Sequence, residues 1–106
     1  MATEKNRPQF SLVAIDHFDA RRGLTRCRAP GVGVHAHSQS ATADFWRNGD
    51  GDILVRFESS GYRFSFCARD GVGAAISEDH LDAFCDHVGS LLQDWLSDGV
   101  DDCPDT

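Results

Sequence analysis

The segment from Ile53 to Ala68 sets two alternating runs on either side of Ser60-Gly61, and it constrains the fold more than any other stretch of the chain. A two-residue turn there pairs Ser59 with Tyr62, Glu58 with Arg63, Phe57 with Phe64, Arg56 with Ser65 and Val55 with Phe66. Opposite charges then meet on one face. On the other, aromatic meets aromatic or β-branched residue, each pair contributing roughly 0.2–1 kcal/mol. A slip of one residue would turn every side chain to the wrong side. The spacing therefore predicts an apolar face of Ile53, Val55, Phe57, Tyr62, Phe64, Phe66 and Ala68, with Leu54, Arg56, Glu58, Arg63, Ser65 and Cys67 facing away.

That apolar face needs a cover, and the next segment supplies one. Leu81, Phe84, Cys85, Val88, Leu91, Leu92, Trp95 and Leu96 recur every three or four residues, an apolar stripe about five helical turns long. Ser77 stands where a side chain can cap the first turn, Glu78 and Asp79 where the helix dipole favours negative charge, and Gly99 follows as a stop.

The amino-terminal half is strand-rich. Phe10 to Ile15 is short and continuously apolar, as in a buried strand. Leu24 to Ala29 and Val32 to Ala36 alternate as two further strands interrupted by Pro30-Gly31. Thr42 to Arg47 is a shorter strand, and Asn48 to Asp52 a turn. The expectation is an α+β fold: an antiparallel sheet of about four to six strands with one long C-terminal amphipathic helix packed on one face. One helix would leave the second face of the sheet open or paired with another copy, so a homodimer is conceivable. With 106 residues, one domain is expected over 9–98, between a disordered N-terminal tail, 1–8, and an acidic C-terminal tail, 99–106.

Charge is distributed unevenly. From Gly71 onward there are nine acidic residues and no Lys or Arg, whereas the first thirty residues hold six basic and three acidic. Like charges one helical turn apart repel by a few tenths of a kcal/mol per pair, so an acidic helix face gains nothing for folding. It either keeps the protein in solution or meets something basic. The formal charge of −7 argues against nucleic acid as a direct partner, because phosphate binding requires the protein's own cations. Arg21, Arg22, Arg26 and Arg28, with Phe18 nearby, form a local basic cluster that could serve a small RNA-binding patch or a solvated strand edge. Fourteen Asp against three Glu, and nine Arg against one Lys, would also follow from GC-rich coding or a high-salt cytoplasm.

Chemical motifs are sparse. His35 and His37 share one face of a strand and could bind zinc or nickel if a third ligand approached, with Cys27, His17, Asp16 and Asp44 as candidates. His80 and His87 are two helical turns apart, too far for one ion. A calcium loop from Asn48 would need Gly at Ile53 and Glu at Ser59. Cys27, Cys67, Cys85 and Cys103 include no close pair, which leaves four free thiols in a reducing cytoplasm. No nucleophile elbow, phosphate-binding loop, dinucleotide fingerprint or zinc-protease motif occurs.

These features point away from an enzyme and toward a small acidic protein-binding module without a cofactor. It would be an inhibitor or immunity-type protein of phage or bacterial conflict, using Asp79, Asp82, Asp86, Asp94 and Asp98 to occupy a basic surface on a nucleic-acid-binding enzyme. The alternatives are a metal- or ligand-binding accessory domain built on His35 and His37, and a housekeeping domain whose acidity reflects its host. No signal peptide or membrane span is evident, so the cytoplasm is the expected compartment.

Overall fold

A computed structural model describes residues 10–36 and 38–98, apart from the side chains of 28–30. The two expected tails, His37 and Cys103 lie outside the described residues. The order of elements is β1 (Phe10–Ile15), β2 (Thr25–Ala36), β3 (Gln39–Arg47), β4 (Ile53–Ser59), β5 (Tyr62–Asp70), a short 3-10 turn (Glu78–His80) and α1 (Leu81–Asp98). All five strands form one antiparallel sheet in the order β1-β5-β4-β3-β2. This is the α+β architecture expected.

The β4–β5 hairpin has the register its side chains require, from Ser59 opposite Tyr62 to Val55 opposite Phe66 and on to Ile53 opposite Ala68. Ser60 and Gly61 both take positive φ, 51° and 86°, the geometry whose twist suits a two-residue hairpin turn. Ile53, Val55, Phe57, Phe66 and Ala68 are fully buried, whereas Tyr62, at the open end, is exposed.

Helix α1 buries the expected stripe: Leu81, Phe84, Cys85, Val88, Leu92, Trp95 and Leu96 are buried and Leu91 packs beside them. Its backbone runs closest to β2 and β3 rather than to the hairpin. The hairpin is reached by large side chains, Trp95 lying 6.0 Å from Phe57 and 5.6 Å from Phe64 between ring centroids. Phe84 meets Phe10 at 5.2 Å and Phe45 at 5.8 Å. Gly89 faces Val32 of β2. Ser77 precedes the 3-10 turn in extended conformation, but its hydroxyl makes no capping bond and lies 3.4 Å from His80 Nδ1. The helix entry is anchored instead by Arg47, whose Nη1 donates to the carbonyls of Gly51 at 2.7 Å and Ile76 at 3.0 Å.

Two strand expectations are corrected. β1 is an edge strand, not a buried one: Leu12 is buried and Phe10 packs on Phe84, but Val13 is 60% exposed. Leu24–Ala29 and Val32–Ala36 are not separate strands but parts of one twelve-residue strand. Register shifts between Arg26 and Arg28 and between Arg28 and Val32 absorb Pro30-Gly31 as an irregular bulge. There the strands come so close that a side chain at Gly31 would collide with the Ala43 carbonyl and the Asp44 carboxylate.

The second face of the sheet is not left open. β1 and β2 are the two edges, so the nine residues 16–24 between them must cross four strand spacings, about 19 Å, well within the reach of about 30 Å for such a length. They cross on the face opposite α1, where Phe18 packs on Trp46 and Arg56.

Candidate functional site

The sheet separates two surfaces of opposite character. On the helix side, Asp79, Asp82, Asp86, Asp94 and Asp98 are all exposed. Heptad-like spacing with period 3.6 brings Asp79, Asp82 and Asp86 to one stripe, with Asp94 and Asp98 on its flank. Among the described residues, Asp79, Asp86, Asp94 and Asp98 have no cationic partner. Glu78 lies 3.5 Å from Arg47, but the contact is an ion pair rather than a hydrogen bond, and Arg47 Nε and Nη2 remain buried without an acceptor.

On the opposite side, strand parity brings together Arg26, Trp46, Arg56, Arg63, Ser65, Cys67 and Arg69. The centre of this face is a cation–π cluster. The Arg56 guanidinium carbon sits 4.9 Å from the Trp46 ring centre and 5.0 Å from that of Phe18, and Arg26 lies 5.3 Å over Trp46. Arg56 Nη2 also donates to the Phe18 carbonyl at 3.3 Å. Most neighbouring cations are paired: Arg26 with Asp44 at 3.4 Å, Arg63 with Glu58 at 2.9 Å, Arg21 with Asp19 at 3.3 Å. The Arg21 backbone N–H donates to Asp19 and holds its carboxyl below the ordinary range. Arg56 has no carboxylate partner among the described residues.

Two clefts flank the crossing segment. One, of about 410 Å³, is lined by Phe18, Asp19, Ala20, Arg21, Arg56 and Arg63. The other, of about 300 Å³, runs from Ala14 and Ile15 past His17 to Arg63 and Ser65. Ser65 is 4% exposed, and its hydroxyl has no hydrogen-bond partner.

The basic cluster read from the sequence is only partly assembled. Phe18, Arg21 and Arg26 do belong to this face, the side chain of Arg28 lies outside the described set, and Arg56, Arg63 and Trp46 complete it. The alternating register assigned Arg56 and Arg63 to the outer face, but nothing local indicated that residues 16–24 would cross it.

His35, on the same sheet face, is exposed and lies 2.9 Å from Ser40 Oγ through Nδ1. Among the described residues no three His, Cys, Asp or Glu side chains are grouped to hold a metal ion. Cys27, Cys67 and Cys85 are free thiols. Burial pushes the Cys27 thiol up, with Arg47 opposing. The cation beside Cys67 is Arg69: its hydrogen bond to Cys67 and its pairing with Asp52 raise the guanidinium pKa. His87 packs 5.6 Å from Phe10, and burial lowers its pKa. No helix is long and apolar enough to cross a membrane. Compared with known proteins, the chain matches no family model, no curated protein and no solved structure.

Proposed function

We propose that the protein is a small binding module whose helix offers an acidic surface to a basic partner protein, as an inhibitor or immunity-type protein would to a nucleic-acid-binding enzyme. One observation carries the reading: Asp79, Asp86, Asp94 and Asp98 face solvent with no cationic partner among the described residues, while most of the described arginines stand across the sheet. Arg26, Arg56, Arg63 and Arg69 project from the opposite face, and Arg47, on the helix side, is spent on Gly51, Ile76 and Glu78. A fold that needed Asp79, Asp86, Asp94 and Asp98 for stability would pair them. A rigid helix packed along its apolar stripe also presents the carboxylates without an ordering cost on binding. Such a surface accelerates encounter with a basic partner and discourages acidic ones.

The test is differential capture. The parent and a variant with Asp79, Asp86 and Asp94 changed to Asn are immobilised and exposed to the same host lysate. A basic protein retained by the parent alone and released by salt supports the reading. Identical retention by both matrices contradicts it.

A further inference from the structure

The cleft beside the Phe18–Arg56–Trp46 cluster has features that the acidic helix does not explain. Arg56 stands on the central strand β4, its guanidinium flanked by two aromatic rings and tied through Nη2 to the Phe18 carbonyl. The carboxylate opposite it on β3, Asp44, is engaged by Arg26. Arg56 is thus a pre-oriented fork, with its faces occupied and no ion pair of its own among the described residues, lining a cleft with Arg21, Arg63 and the Asp19 carboxylate. Directly across the ladder on β5 is Ser65, a buried hydroxyl with no partner, and Arg63 is two residues along on the same face. Ser65 lines the neighbouring cleft, which shares Arg63 with this one.

We propose that this cleft binds an oxyanion, the phosphate or carboxylate of a small molecule, with Arg56 as the fixed fork and Arg21 and Arg63 as flanking cations. Guanidinium edges match both oxyanions in bidentate geometry. The pairings of Arg63 with Glu58 and Arg21 with Asp19 are exposed, so each can be exchanged for a stronger acceptor when the ligand arrives. A small anion fits better than a nucleic acid, because the chain as a whole carries −7 and the paired acids Asp19, Asp44 and Glu58 interrupt any extended basic track. The site lies across the sheet from α1 and stands or falls independently of the acidic face.

The test is a titration of the full chain with inorganic phosphate and, separately, with succinate at constant ionic strength, followed by amide and arginine side-chain NMR shifts. Saturable shifts confined to residues 18–21, Arg56 and Arg63 are expected with one of the two probes, and the tighter probe identifies the source. Arg63→Gln and Arg21→Gln should keep the fold and weaken binding, about tenfold for each lost arginine. Arg56→Gln should abolish binding. If that variant fails to fold, the first two decide. Arg69→Gln removes an equal charge outside the cleft and should change nothing. Shifts that fail to saturate with both probes would overturn the proposal, as would equal weakening by Arg69→Gln and Arg63→Gln.

Discussion

Trp95 stands edge-on to Phe64, ring centroids 5.6 Å apart and planes at 81°, and joins the end of the helix to the start of β5. At the other end of the stripe Phe84, fully buried, meets Phe10 and Phe45 in the same edge-to-face manner. The helix is therefore held to the sheet by aromatic contacts near both ends, with Val88 and Leu92 filling the middle.

Phe84→Ala should cost about 3–5 kcal/mol, the sum of lost transfer energy and the cavity left between three elements. Chemical denaturation of the variant checks this. A midpoint equal to that of the parent would mean that the helix does not depend on this anchor.

The hairpin turn offers a test in both directions. Ser60 adopts a positive φ that Asn tolerates better, so Ser60→Asn should stabilise by a few tenths of a kcal/mol up to about 1 kcal/mol. Gly61→Ala, at φ 86°, should destabilise by about 1 kcal/mol. Thermal melts of the pair should move in opposite directions. Movement of both the same way would contradict the turn geometry.

His87 links stability to pH. Burial holds its folded pKa below the ordinary 6.5, and its Nε2 has no partner. The unfolded chain therefore binds the proton more readily. The stability contribution is complete above about pH 6.5 and is lost as pH falls through the lower folded pKa. The melting temperature should decline on acidification through this window, and His87→Phe, which keeps a ring against Phe10, should flatten that part of the profile. An unchanged slope in the variant would show that other groups carry it.

How far the sequence revealed the fold depends on how local each determinant is. The β4–β5 register was legible because every cross-strand pair lies within sixteen residues, and the helix stripe because its period repeats over eighteen. β2 was divided in two because Pro30-Gly31 looks like a break. Only its distant partner, the Ala43 carbonyl, shows that the glycine lets a bulged strand continue. β1 read as buried because nothing local tells an edge strand from a central one. The helix acids were visible as a charge pattern. The cation–π cluster was hidden because Phe18, Trp46 and Arg56 lie far apart in the chain and meet only when residues 16–24 cross the sheet.

The most direct test of the acidic-face account is the association rate of the captured partner with the parent and with Asp94→Asn, Asp98→Asn, measured across a series of salt concentrations. Neutralising these aspartates relieves like-charge repulsion one turn apart, so the melting temperature should stay level or rise slightly. The parent's association rate should fall steeply as salt screens the attraction. The variant should associate more slowly at low salt, and the two rates should converge at high salt. A partner whose association is indifferent both to salt and to these substitutions would contradict the account and leave the helix face as a solvated surface.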